Sequence, residues 1–575
     1  MKVINSILLV IAALTIVSCS KNNPIDDPAE DKPIVTDPEP EPEPTPGSDV
    51  VGKVIVGYQG WFACAGDGQP GGTNWWWHWS NDWGKLPSNA TKCLYAWPDV
   101  SDYTKTYQSG YDNLNNGLPA ALYSCVDQQS VNVHFRWMKE FGIDGAALQR
   151  FNPMGAEGPL RDWITERVKI AAETYGVKFY IMYDGSNWKN MQTQMKTDWI
   201  NKMQVYTNSP AYARQGDKPV VAIWGFGYND ANHPWGAAEC LDVVNWFRNQ
   251  GCYVIGGVPR EWRLGRGGSR PGFEEVYRAF NMISPWLVGA LSNISGANDI
   301  YTQYMVGDQA ECNQYGMAYQ PCVLPGGMTQ RVHGDLMWRM FYNAVRVGCQ
   351  GIYISMYDEY NEGNQIAKTS PTQDWVPANT TYRSLDYDGT YCTSDYYLRL
   401  TGDGARMLKG EIALTETRPT YPGLDYLEAC DDKAGWMSDN TLSVYTDDRK
   451  QGTGCLQSVG SGAEEFKKAF SSPLLIPGSS AATGRIQFWY YVSDVTKLNS
   501  ESRIEIGSSG QADKDVYSWS MGTKLVNGWN LVSKSFSRAN KTGNPNLGKI
   551  NWIRISNSKN GSLTTRMDGV RLIPR

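Results

Sequence analysis

At 575 residues the chain is long enough for more than one domain and for at least one large hydrophobic core. A net charge of -6 and a pI of about 5.5 leave no electrostatic case for nucleic acid. Past the amino terminus no apolar run reaches the length of a membrane span. The 23 Trp and 33 Tyr outnumber the 14 Phe, so the aromatic excess lies in side chains with both a flat face and a polar edge. Such residues suit stacking on sugar rings while bonding hydroxyls, which makes carbohydrate the leading ligand class.

The chain opens with Lys2, an apolar stretch from Ile7 to Val17, and the small-residue region Val17-Ser18-Cys19-Ser20. This is a targeting segment over residues 1–19 and not part of the fold. Ile16-Val17-Ser18-Cys19 resembles a bacterial lipobox, which makes Cys19 the expected lipidated residue and the anchor the expected membrane contact. Residues 20–50 are rich in Asp, Glu and Pro, with Pro38-Glu-Pro-Glu-Pro-Glu-Pro44 at their centre. Proline fixes φ, like charges repel and no apolar face exists to bury, so a stalk is expected. At roughly 3.1 Å per residue it can lift the body up to about 80 Å. The layout resembles surface lipoproteins of Bacteroidota, anchored in the outer membrane; the flanking signal does not choose between cell surface and periplasmic face.

From residue 51 to 415, strand-like and helix-like stretches alternate. Strands are expected at 54–58, 145–148, 178–183, 219–224, 253–258, 282–288, 320–324 and 352–356. Amphipathic helices are expected at 131–141, 162–175, 191–206, 237–249, 273–280, 299–315, 334–347 and 394–409. Glycines such as Gly176 and Gly251 stand where helices should stop. Eight such units describe a (β/α)8 barrel, of the α/β class; a doubly wound sheet is the alternative, but no GxGxxG follows a strand. After Cys19, eleven cysteines with irregular spacing and four scattered histidines give neither a disulfide framework nor a metal motif. A local bridge, for example Cys430 with Cys455, is open, and no cofactor is expected.

Barrel chemistry sits at the C-terminal rim, so strand ends are where site residues are sought. Those ends supply Trp61, Asp67, Trp77 and His78 after strand one, Arg150 after strand two and Asp184 after strand three. Trp224 and Tyr228 follow strand four, and Trp286 strand six. Strand eight ends in Asp358, Glu359, Tyr360 and Glu362, with Gly363 as breaker. These are the candidate substrate-binding residues, with Glu359 and Glu362 as candidate catalytic carboxylates. Like charges held close raise one pKa and leave the other ionised, which places an acid and a base in one site. The bland alternative is a solvated acidic loop. Two or three of the loop tryptophans are expected in loop cores, and Asp67 and Asp184 either bind sugar hydroxyls or fix loops.

Gly57-Tyr58-Gln59-Gly60-Trp61-Phe62, Gly66-Asp67-Gly68 and Trp77-His78-Trp79 resemble the start of glycoside hydrolase families 71 and 99. Tyr357-Asp358-Glu359-Tyr360-Asn361-Glu362-Gly363-Asn364-Gln365-Ile366 resembles the family 99 pattern Asn-Glu-Trp-His-Glu-Gly-Thr-Gln-Ile. The resemblance spans about residues 53–410 and extends to a bacterial group labelled xylosidase/arabinosidase. It implies a retaining, endo-acting hydrolase of α-linked glycan. Glu359 would deprotonate the sugar 2-hydroxyl to form a 1,2-anhydro sugar, and Glu362 would protonate the leaving oxygen and then activate water. Asp358, Tyr360 and Asn361 depart from the family's Asn, Trp and His, which bears on mannose specificity more than on hydrolysis.

Beyond the hinge around residue 415, residues 424–575 change to short strands with turn-rich spacing, a β-sandwich. Gly452-Thr-Gly-Cys-Leu-Gln457 and Met567-Asp-Gly-Val-Arg-Leu572 resemble jelly-roll carbohydrate-binding modules. Trp489, Tyr490, Trp519, Trp529 and Trp552 are candidate platforms, most of them expected buried because alternate strand positions form core. A structural calcium is conceivable there, without a ligand cluster to name. The sequence thus implies a monomeric, surface-anchored glycoside hydrolase acting on polysaccharide. The alternative is a non-catalytic glycan-binding lipoprotein that captures polysaccharide for other enzymes.

Overall fold

The computed structural model describes residues 47–573 apart from 391, 421, 423–426, 451–453, 475–484, 500–501 and 522–524. The expected leader, Cys19 and most of the stalk lie outside the described residues.

Eight parallel strands form the first body: Val54–Tyr58, Gly145–Arg150, Lys178–Asp184, Lys218–Trp224, Tyr253–Val258, Met282–Pro285, the pair Ala318–Tyr319 and Cys322–Val323, and Ile352–Ile354. They are called strands one to eight below. Strand one is buried at all five positions and strand two at all six, as strands covered on both faces must be. Strand seven breaks at Pro321, which has no N–H to give to a ladder. Its first piece pairs with strand six through Ala318 and Met282, and its second with strand eight through Cys322 and Tyr353. Strand one joins strand eight to strand two, Val54 opposite Ile352 and Ile55 opposite Gly145. The sheet therefore closes on itself as a (β/α)8 barrel.

Helices cover the outside, and their ends obey local chemistry. Gly158–Tyr175 stops at Gly176, whose φ of 66° is left-handed and whose N–H donates to Ala172 O at 2.9 Å. The stretch expected as one helix over 191–206 divides into Met191–Asp198, a π turn over Trp199–Met203 and a 3-10 turn over Gln204–Asn208. Gly57 must be glycine for another reason: a Cβ there would lie 2.2 Å from the Tyr353 hydroxyl inside the barrel.

The second body is two packed antiparallel sheets. One runs Trp436–Met437, Glu464–Leu474, Ile550–Ser556, Arg503–Gly507, Val516–Ser520, Asn540–Thr542; the other runs Thr441–Tyr445, Cys455–Gly460, Leu563–Ile573, Arg485–Val492, Gly528–Ser535. Ile486, Phe488, Tyr490 and Val492 alternate inward from one sheet to meet Ile504, Ile506, Ile553 and Ile555 from the other. The Glu464–Leu474 strand escapes a hydrophobicity reading because it opens with charge. Glu465 is fully buried there, 2.6 Å from the equally buried Lys559.

Each of the eleven described cysteines is a free thiol. The bridge considered between Cys430 and Cys455 does not form: Cys430 Sγ lies 3.7 Å from Glu428 O and Cys455 Sγ 3.6 Å from Asp448 O. Among the described residues no helix is long and apolar enough to cross a membrane, and no group of three or more His, Cys, Asp or Glu is placed to hold a metal.

Candidate active site

The segment leaving strand eight is held from three sides. Both carboxylate oxygens of Asp358, fully buried, accept backbone N–H groups of Gln59 and Gly60 at 2.8 Å each. They tie the exits of strands eight and one together. The N–H groups of Glu362 and Gly363 donate to Glu359 O at 3.1 and 2.9 Å, closing a tight turn in which Gly363 takes a φ of 74°. Below it, buried Arg331 donates to the carbonyls of Gly326, Gly363 and Gln365 at 3.1, 3.0 and 2.8 Å. The loop is fixed through its backbone, which leaves the side chains of Glu359 and Glu362 for other work.

Glu359 is buried, and its Oε1 accepts from Gln59 Nε2 at 2.6 Å while its Oε2 has no hydrogen-bond partner. Desolvation and the charge of Glu362 push its carboxyl up, to about 8, against the opposing Gln59 amide. Glu362 stands exposed at the rim, and partial desolvation raises its carboxyl as well. Each charge disfavours the other, so the pair titrates as a unit that retains a proton near neutrality. Asp358 is also raised, to about 6, by burial, with the Gln59 and Gly60 amides and Arg161 opposing.

Glu362 and Asn364 open onto a cleft of about 630 Å³ at the C-terminal rim. Its walls come from the loops after strand six (288–292), strand seven (324 and 327–330) and strand eight, completed by Lys92, Tyr95, Thr381 and Arg383. Asn364, Lys92, Tyr95 and Arg383 were not among the residues singled out from sequence. Asn364 lies two residues past Glu362 and was within reach of that reasoning. The others sit on loops without periodicity, nearly three hundred residues apart in the chain, and only folding brings them together.

Trp224, Tyr228 and Trp286 gather on the same rim. Their rings are half-buried; Trp224 lies 4.8 Å from Tyr228 and 5.5 Å from Trp286, and Trp286 lies 6.3 Å from Tyr353. The Tyr353 hydroxyl accepts from Gln149 Nε2 at 3.1 Å, and its ionisation is opposed first by burial and only weakly by the charge of Glu359. The aromatic series thus leads from the strand-four exit to Tyr353 of strand eight. Asp184, at the end of strand three, accepts from Ser186 N at 2.8 Å and so shapes its own loop.

The strand-one and strand-two side of the rim is packed shut. Trp61 lies flat between His78, centroids 3.9 Å apart, and Phe151 at 5.9 Å, with Arg161 alongside. His78 bonds Glu157 at 2.8 Å, and burial holds its pKa down. Trp77 is 1 % exposed beneath Trp75 and Trp83. Asp67 accepts from Cys64 N and Ser124 Oγ at 2.7 Å and from Gln69 N at 3.0 Å, which makes it a loop staple. Arg150, buried, is bidentate to Asp198 at 2.5 and 2.6 Å and reaches Asp162 at 2.8 Å, away from the cleft. Asp358 and Tyr360 are likewise structural: the first binds only backbone, and the second is wholly buried with its hydroxyl on Lys368 O at 2.8 Å. Arg161, not singled out from sequence, donates to Gln59 O and Gln149 O at 3.0 and 3.3 Å and supplies the positive field beneath Asp358.

On the sandwich, Trp489, Tyr490, Trp519 and Trp552 are buried. Trp529 is half-buried on the outer face beside Tyr491, rings 5.6 Å apart.

No family model matches the chain, and no curated protein matches it. Among solved structures, it is similar to the GH99 endo-alpha-mannosidase from Bacteroides thetaiotaomicron, at 16 % identity and a TM-score of 0.46, covering 63 % of this chain and 98 % of that one. It is also similar to the family 11 carbohydrate-binding module from Clostridium thermocellum, at 15 % identity and a TM-score of 0.20, over 26 % of this chain and 94 % of the module. A family 30 carbohydrate-binding module is similar at 11 % identity and a TM-score of 0.19, over 24 % and 76 %. The fold assignment rests on the strand order itself.

Proposed function

We propose that the chain is a glycoside hydrolase, retaining and endo-acting, that cleaves an α-linked polysaccharide or glycan at Glu359 and Glu362. The observation that carries this reading is the carboxylate pair at the strand-eight exit. One member is buried with an unsatisfied oxygen and the other faces a cleft large enough for sugar residues. A pair that keeps one proton near neutrality supplies both a donor for the leaving oxygen and a base.

The family resemblance assigns the base to Glu359 and the acid to Glu362. Exposure at the rim suits Glu362 for reaching the leaving oxygen, whereas burial keeps the resting proton nearer Glu359. Turnover by the family route then requires that binding of the sugar transfer that proton outward, leaving Glu359 ionised against the 2-hydroxyl. Trp224, Tyr228 and Trp286 are proposed as the sugar-stacking surface. The lipobox at residues 16–19 and the acidic stalk support an anchored protein acting at the outer membrane.

The test is product release from α-mannan, α-1,3-glucan, xylan, arabinan and fucan by wild type, Glu359→Gln and Glu362→Gln. Cleavage of one polymer that collapses in both variants supports the reading and names the substrate. Binding without cleavage, equal in all three proteins, would replace it with the glycan-capture reading.

A further inference from the structure

Two cations stand in the wall of the cleft. Lys92 and Arg383 both line it, and among the described residues neither is in an ion pair. Other half-buried lysines of this barrel are paired: Lys368 lies 2.8 Å from Asp102. Lys92 donates to Thr381 Oγ1 and rests 4.6 Å above the Tyr382 ring, while Arg383 rests 4.0 Å above the Tyr387 ring. Both heads are therefore held in place and do not sweep through solvent.

The wall is rigid for a reason visible in the fold. The loop carrying Lys92 and the loop carrying Arg383 are joined by a bridge between Ala96 and Arg383, and Tyr382 is fixed by a 2.6 Å bond between its buried hydroxyl and that of Tyr111. Burial, and after it the neighbouring positive charge of Arg383, holds the pKa of Lys92 below the usual lysine value. Holding like charges side by side costs free energy that a bound anion between them would offset. Glu362 is the one carboxylate among the described lining residues, and it is already committed by the function proposed above. A cleft built only for neutral sugar needs hydroxyl-bonding amides and aromatic faces, and no pair of uncompensated cations.

We propose that this end of the cleft is a subsite for an anionic sugar, in which Lys92 and Arg383 bind a carboxylate or sulfate carried by the saccharide. Lysine offers a point charge and arginine a planar fork, and together they suit an oxyanion with several acceptor oxygens. The proposal rests on the cleft being the saccharide site but not on its being catalytic.

The test is binding of a uronate-bearing polysaccharide, a sulfated one, and their carboxyl-reduced and desulfated counterparts to the full chain carrying Glu362→Gln, so that no substrate is consumed. We expect at least one anionic polymer to bind about tenfold or more tightly than its neutral counterpart, with the preference shrinking as salt rises. Loss of the preference on carboxyl reduction assigns a uronate, and loss on desulfation a sulfate. Adding Lys92→Gln or Arg383→Gln should bring the anionic-to-neutral ratio toward one, while Lys92→Arg should retain it, which separates charge from folding. Equal binding of anionic and neutral polymers, or a preference that survives both glutamine substitutions, overturns the proposal. Anionic preference without any cleavage by wild type keeps the subsite and removes the hydrolase reading; cleavage with no anionic preference does the reverse.

Discussion

The two sides of the barrel rim are made of the same residue types and do opposite things. After strands one and two, Trp61, Trp77, His78 and Arg150 pack against one another or against Glu157 and Asp198 until little is left for a ligand. From strands four to eight, Trp224, Tyr228 and Trp286 stay half-buried on the rim, and Glu362, Lys92 and Arg383 line a cleft. What separates the sides is burial: Trp61, Trp77 and Arg150 are covered by their neighbours, whereas Trp224, Tyr228 and Trp286 keep part of their surface open to a ligand.

That contrast can be broken most sharply at the carboxylates. Glu359→Gln and Glu362→Gln are each expected to reduce turnover by about 10²–10⁴-fold. Below about pH 4.5 their denaturation midpoints should stay close to wild type, since neither side chain holds the loop. On an aryl glycoside whose leaving group needs no proton, the variant lacking the acid should recover most, and the resemblance predicts that this is Glu362→Gln.

The closed side should respond in stability instead. Arg150→Met leaves Asp198 buried and uncompensated and is expected to cost about 3–5 kcal/mol in urea unfolding. Trp61→Ala removes a ring from a packed stack and should cost a comparable ~3–5 kcal/mol. Trp224→Ala, on the open side, should instead raise KM about tenfold, in line with the loss of one stacking surface. A Trp61→Ala variant that folds normally but loses substrate binding would move the cleft to the other wall.

A further effect concerns pH. Burial raises Glu359 from 4.5 to about 8 on folding. A carboxyl raised on folding stabilises the fold fully below its unfolded pKa and loses that contribution as pH climbs through the folded one. Wild type should match Glu359→Gln in stability below about pH 4.5 and fall progressively behind it toward pH 8. Thermal denaturation of both proteins across that window measures the gap.

The barrel was legible because its signals are local. Buried strands read as apolar runs, and glycines such as Gly176 end helices in sequence as they do in space. The Glu359–Glu362 spacing was legible for the same reason, since a three-residue interval survives any tertiary arrangement. What sequence could not sort was exposure. Trp77 and Trp224 look alike in a string of letters, and Arg150 at a strand end looks like a site residue until Asp198, from the helix after strand three, meets it. Lys92 and Arg383 were invisible because their meaning is a distance between two aperiodic loops.

The central claim, that the open side of the rim holds the reaction centre, is tested most directly by a crystal structure of Glu362→Gln with the polysaccharide that wild type cleaves. The account predicts sugar stacked along Trp224 and Trp286, with a glycosidic oxygen about 3 Å from the residue-362 side chain. Sugar bound only at Trp529 on the sandwich, or over Trp61 with the cleft empty, would contradict it.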